Sequence, residues 1–94
     1  MKDAVWSVAA LQDLEHHFDW LDQRDRKLAD RITGDVVAKA CGLVENPLTG
    51  SPLDTGGLRK SLIAGTKFLI VYRYRKGIVE IARIRHASEN WRPT

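Results

Sequence analysis

The sequence predicts an α+β fold in which an N-terminal antiparallel helix hairpin packs on a C-terminal antiparallel sheet. Three observations predict it. Apolar residues recur at helical spacing through Leu11, Leu14, Phe18 and Leu21, and again through Leu28, Ile32, Val36, Ala40 and Leu43. Residues 46–57 then concentrate Pro47, Gly50, Pro52, Gly56 and Gly57, a loop by composition. Beyond that loop the pattern changes to short β-rich runs, the strongest of which is Phe68 to Tyr72, five apolar residues in succession.

Taken in order, Val5-Trp6 suits a short opening strand at a sheet edge. Ser7 is placed to cap the first helix by accepting from the free N–H groups of its first turn. Asp13, Glu15, Asp19 and Asp22 occupy mostly the faces away from the apolar stripe. Asp22-Gln23-Arg24-Asp25 is a short connection, with Asp25 as the second cap. The second helix tolerates Gly34 at a cost of about 1 kcal/mol relative to Ala. It ends at Asn46-Pro47, because the residue before a proline is pushed out of the α region. So short a link makes the two helices an antiparallel pair. Three strands are expected afterwards, Leu58 to Ile63, Lys67 to Tyr74 and Ile78 to Arg85, the last two joined at Arg75-Lys76-Gly77. All 94 residues are expected to form one domain: helix hairpin 8–45, loop 46–57, meander 58–86 and tail 87–94.

Composition narrows the function. A domain of this length leaves much of its surface exposed, so an enclosed active-site cavity is not expected, and a surface or shallow groove is. The single cysteine, Cys41, supports no internal disulfide and no cysteine-rich zinc site. No apolar run reaches the roughly 20 residues that span a bilayer. Met1-Lys2-Asp3 does not open a signal peptide, so a cytoplasmic location is expected. His16 and His17 are adjacent on a helix and do not face one another, so no metal site is expected there. The net charge of +3 conceals an asymmetry. Residues 1–57 hold six Lys/Arg against ten Asp/Glu, a net of −4; residues 58–94 hold nine against two, a net of +7. The C-terminal half therefore points to an anionic partner.

The Phe68–Tyr72 run is apolar on both faces of its strand, and a helix hairpin covers only one. A partner protein or the C-terminal tail is expected over the other. A two-residue turn at Lys76-Gly77 sets Arg75 opposite Ile78 and Arg73 opposite Glu80. Continued without a break, that register puts Leu69, Val71, Arg73, Glu80, Ala82 and Ile84 on one face. It puts Phe68, Ile70, Tyr72, Tyr74, Val79, Ile81, Arg83 and Arg85 on the other.

Several segments together resemble the RelE/ParE toxin family of type II toxin–antitoxin systems. Val5-Trp6-Ser7-Val8-Ala9-Ala10-Leu11-Gln12-Asp13-Leu14 is similar to its strand-to-helix opening, and Asn46-Pro47 with Gly50 and Pro52 to its post-helix loop. Leu58-Arg59, Gly65-Thr66 and Phe68 to Arg73 are similar to its central sheet. Val79 to His86, followed by Trp91, is similar to its last strand and tail. The likeness runs along almost the whole chain and rests on the ordered set, not on any one motif.

The resemblance implies a toxin neutralised by a cognate, ParD-like antitoxin, without cofactor or metal. It leaves two activities open. ParE-like members poison DNA gyrase and are not nucleases, whereas RelE-like members cut mRNA on the ribosome. Metal-free RNA cleavage needs cations for the developing phosphorane charge and groups for proton transfer. In the nucleases a catalytic arginine precedes the Leu-Val-Tyr segment of the central strand, and a basic residue follows the last strand. Here Leu69 and Ala87 or Ser88 stand at those positions, which favours the gyrase branch. The residues expected to meet the target or antitoxin are Arg59, Leu69, Val71, Arg73, Arg83, Arg85, His86 and Trp91. Were the chain a nuclease, His86 would move the proton, since imidazoles in general titrate near neutrality. Arg83, Arg85 or Arg59 would then hold the phosphate. Trp91 suits either an anchor of the tail on the core or a contact to the target. A nucleic-acid-binding or repressor module is a third reading, opposed by the net acidity of the two helices.

Overall fold

The computed structural model describes residues 3–53 and 56–87. β1 (Val5–Trp6) leads into α1 (Val8–Asp22) and, after three residues, α2 (Arg26–Glu45). β2 (Ser51–Pro52), β3 (Leu58–Leu62), β4 (Phe68–Arg75) and β5 (Ile78–His86) complete the fold. Both expected caps form. The Ser7 hydroxyl accepts from Ala10 N–H at 3.0 Å, and the Asp25 carboxylate accepts from Leu28 N–H at 3.2 Å. α2 ends at Glu45, where Asn46 donates its N–H to Gly42 C=O.

The helices bury Ala10, Leu21, Ala29, Ile32, Val36, Ala40 and Leu43 against Ile63, Phe68, Ile70, Tyr72, Val79, Ile81 and Ile84 of the sheet and its loop. One member of the expected stripe lies outside it: Leu11 is exposed, and its neighbour Ala10, wholly buried, takes the inward position. A small side chain there lets α1 lie close to β5, whose backbone it serves as described below.

The sheet order is β1-β5-β4-β3-β2. The β2–β5 pairings are antiparallel, as the meander requires, whereas β1 adds itself parallel to β5, so the sheet is mixed. The Lys76-Gly77 turn forms as expected, with φ of 55° and 77° at its two residues, and Arg75 pairs with Ile78 and Arg73 with Glu80. The continued register does not hold. A bulge between Val71 and Tyr72 on the β4 side pairs Tyr72 with Ile81 but Val71 with Arg83, leaving Ala82 as the extra residue. Beyond it every β5 side chain changes face. Ile84 therefore joins the core beside Ile70, while Arg83 and Arg85 stand opposite Val71 and Leu69 on the side away from the helices. The bulge is invisible to hydrophobic alternation because Ile81 and Ile84, three residues apart, both face inward.

β1 covers only the Glu80–Ile81 stretch of the β5 edge, and side chains of Ser7 and α1 occupy polar groups of Ala82 and Ile84 beyond it. The Ser7 hydroxyl donates to Ala82 C=O at 2.8 Å, Asp13 accepts from Ile84 N–H at 3.0 Å, and His17 Nε2 donates to Ile84 C=O at 3.1 Å. An edge strand whose polar groups are occupied does not recruit another strand. No helix among the described residues is long and apolar enough to cross a membrane.

Candidate functional site

The face of the sheet away from the helices is built around the middle of β4. Leu69 and Val71 are buried, at 7% and 3% exposure, yet neither belongs to the core beneath the helices. Val71 is flanked across the sheet by Lys60 of β3 and Arg83 of β5; Leu69 is flanked by Leu62 and Arg85. Paired positions of this kind lie about 5 Å apart at Cβ, so basic stems border the apolar pair. The bulge is what brings Arg83 and Arg85 to this face. The unbroken register set Leu69 and Val71 on the opposite face from Arg83 and Arg85; here basic and apolar residues share one face.

Arg83 is not a mobile surface cation. Its Nε and Nη2 donate to the two oxygens of Asp13 at 2.7 and 2.9 Å, a bidentate pair between β5 and α1. Burial by itself raises the Asp13 carboxyl. The Arg83 hydrogen bonds, the Ile84 N–H and the positive charges of Arg83 and Arg85 outweigh it and hold the group below the ordinary carboxylate value. Asp13 was legible only as a polar position on α1; its role depends on the bulge, which no local pattern signals.

The other expected residues are dispersed. Arg59 pairs with Tyr72 across the sheet and donates Nη1 to Gly50 C=O at 2.7 Å and to Leu48 C=O at 3.4 Å, clamping the post-helix loop. Tyr72, wholly buried, accepts from Gly50 N–H at 3.0 Å and donates to Pro47 C=O at 2.7 Å, a second clamp on the same loop. Arg73 donates Nε to Gly56 C=O at 2.9 Å, and its Nη1 lies 3.9 Å from Glu80. His86 pairs with Phe68, with ring centroids 5.1 Å apart, on the helix side of the sheet. There it lines a cleft of about 320 Å³ with His16, His17, Trp20 and Phe68. Sequence reading did not connect His86 with α1, because contacts across some 70 residues leave no local signal. Ser88 and Trp91 lie outside the described residues.

The nuclease set of His86, Arg83, Arg85 and Arg59 is thus divided: His86 on the helix side, Arg59 in the loop clamp, Arg83 in an ion pair, and Arg85 on the outer face. No cluster of His, Cys, Asp and Glu suited to a metal occurs among the described residues.

A sequence profile of the ParE toxin of the type II toxin–antitoxin system parDE matches residues 4–91. The chain belongs to the ParE toxin family. It is 35% identical over 88 residues to toxin RelE2 of Caulobacter vibrioides, covering 94% of this chain and 98% of that protein. It is 27% identical over 86 residues to Y4kP of Sinorhizobium fredii, covering 92% and 88% of the two chains. In fold it is similar to a chain of the chromosomal ParDE toxin–antitoxin system from P. aeruginosa, with a TM-score of 0.81, 23% identity, and coverage of 94% and 98%. This ParE-family chain is accordingly a type II toxin of α+β fold.

Proposed function

We propose that this toxin acts in the cytoplasm by inhibiting DNA gyrase without cutting nucleic acid, and that a ParD-like antitoxin neutralises it across the outer sheet face. The observation that carries the reading is the composition of that face. Its centre is the apolar pair Leu69 and Val71, where metal-free RNA cleavage would need a cation, and the adjacent Arg83 is committed to Asp13. An apolar strip bordered by Lys60 and Arg85 suits a protein segment that brings aliphatic and acidic side chains. The test is gyrase supercoiling with the purified toxin. Loss of supercoiling or trapped cleaved DNA is expected, relieved by the antitoxin, and unimpaired supercoiling at large molar excess would remove the reading.

One observation favours a second reading, a ribosome-dependent mRNA endonuclease. His86 shares its cleft with two further imidazoles, His16 and His17, and imidazole pairs serve general acid–base cleavage. Codon-positioned cuts in a translating extract, lost on His86→Ala, would establish it. Intact message would exclude it.

A further inference from the structure

We infer that the β4–β5 hairpin tip is a second functional surface, one that grips the phosphate backbone of duplex DNA. The inference rests on the gyrase reading above, since gyrase works on bound duplex. β3 leaves β4 after the Leu58–Arg73 pair, and β1 leaves β5 at Glu80. Among the described residues, 74–79 therefore continue as a two-stranded ribbon with no neighbouring strand on either side, a shape that a DNA groove admits. Around its base lies an open cleft of about 430 Å³ lined by Arg73, Arg75, Lys76, Ile78 and Glu80.

The charge there is disposed for binding. Arg73 and Arg75 lie on one side of β4 two residues apart, about 6.6 Å along the strand. Neighbouring phosphates of one DNA strand rise about 3.4 Å along the axis but wind around it, which sets them roughly 7 Å apart in space, so the two guanidiniums match adjacent phosphates. The one acid in the cleft, Glu80, pairs with Arg73 only at 3.9 Å and is half exposed, a contact easily exchanged for a phosphate. Arg75 and Lys76 make no side-chain hydrogen bond or ion pair among the described residues. The turn gives an independent indication. Lys76 holds φ of 55°, a left-handed conformation that Asn or Gly adopts without strain and lysine does not. A charged residue at a strained tip, where Asn or Gly would fit better, is consistent with use of its charge. An acidic peptide could meet the same cations, but a regular row of phosphates fits the i, i+2 spacing together with the free ribbon end.

The test is fluorescence anisotropy of a 20-base-pair duplex with the full-length toxin across a salt series. It is run beside the variant Arg75→Gln/Lys76→Asn, which keeps the turn favourable. Each phosphate contact contributes a slope of about 0.9 in log affinity against log salt, or about 8-fold at 0.1 M. Losing both contacts should reduce the slope by about 1.8 and the affinity about 60-fold, while Arg75→Lys stays near wild type. An unchanged slope overturns the assignment, as does displacement of the DNA by polyglutamate at equal charge concentration. Supercoiling assays separate the two claims. If wild type inhibits gyrase and the double variant does so equally, the hairpin inference falls and the gyrase reading stands. If wild type does not inhibit but its DNA binding depends on the hairpin, the gyrase reading falls and the DNA surface stands.

Discussion

Asp13→Asn should lower stability by about 1–2 kcal/mol at neutral pH and by almost nothing in acid. The Asp13 carboxylate, 14% exposed, accepts three hydrogen bonds: two from the Arg83 guanidinium and one from Ile84 N–H on the β5 edge. Hydrogen bonds to a charged group contribute about 1.5–3 kcal/mol each, net of the water they replace. Arg83 is 40% exposed, so solvent screens its half of the pair and only a fraction of that sum applies. The Ile84 N–H is part-buried and pairs with no strand on that side, so it dominates the estimate. An asparagine oxygen can still accept from it, which is why Asn costs less than Ala, for which about 2–3 kcal/mol is expected.

The pH dependence follows from the direction of the shift. The folded-state carboxyl titrates below its unfolded-state value, so the unfolded chain takes up the proton first as pH falls. The stabilisation is complete above the ordinary carboxylate range, about 3.9, and is lost as pH falls through the lowered folded value. Below that point wild type carries a neutral Asp13 and resembles the Asn variant. Urea denaturation of both proteins across pH 7 to pH 2.5 measures this difference, with unchanged m values confirming a common unfolded state. A wild-type advantage below 0.5 kcal/mol at pH 7, or one that persists undiminished at the acid end, would refute the account of Asp13 as a charged anchor.

Four further outcomes follow, from the loop clamp, an exposed control position and the turn. Tyr72→Phe leaves the buried Gly50 N–H without its acceptor and Pro47 C=O without its donor, so a loss of about 2–3 kcal/mol is expected by chemical denaturation. Tyr74→Phe, at an exposed position, should stay within about 0.5 kcal/mol. Gly50→Ala would set a Cβ 2.5 Å from the Tyr72 hydroxyl and 2.7 Å from Lys60 C=O; with backbone on one side it should cost at least about 2 kcal/mol and broaden the Ser51 and Tyr72 amide resonances. Lys76→Asn should raise stability by about 0.5–1 kcal/mol by relieving the left-handed backbone, visible as a higher urea midpoint.

The helices were legible because their signals are local. Ser7 and Asp25 sit where caps must, and Asn46-Pro47 can only stop a helix. The Lys76-Gly77 hairpin was legible for the same reason, since two residues fix its register. The errors began where the register had to be carried past Ile81. One extra residue, Ala82, reverses the facing of Arg83 and Arg85, and the apolar pattern Ile81, Ile84 is as compatible with a bulge as with a regular strand carrying a misplaced isoleucine. The parallel docking of β1 and the His86 cleft were illegible for a different reason. Both join chain segments some 70 residues apart, and neither Val5-Trp6 nor His16-His17 carries a pattern that names its distant partner.

The bulge also explains how one small sheet keeps two opposed faces. Without it Arg83 and Arg85 would point into the helix layer, where net-acidic helices could pair with them only at the cost of burying charge beneath the hairpin. With it the guanidiniums leave the core, Ile84 fills the vacated position, and Asp13 reaches round the sheet edge to hold Arg83. The same carboxylate satisfies the Ile84 N–H that the end of β1 leaves unpaired, so one side chain closes the edge and fixes a basic residue beside Val71. The surface so produced is apolar along β4 and positive on its flanks. That composition is poorly suited to proton transfer and phosphorane stabilisation, and well suited to a strand or helix bearing acidic side chains around an aliphatic stripe. In our reading the antitoxin covers Leu69 and Val71, while duplex DNA meets Arg75 and Lys76 at the other end of the same β4–β5 ribbon. An antitoxin covering only the first would leave the second open, and the antitoxin-bound toxin would retain the salt-dependent DNA binding assigned to the hairpin.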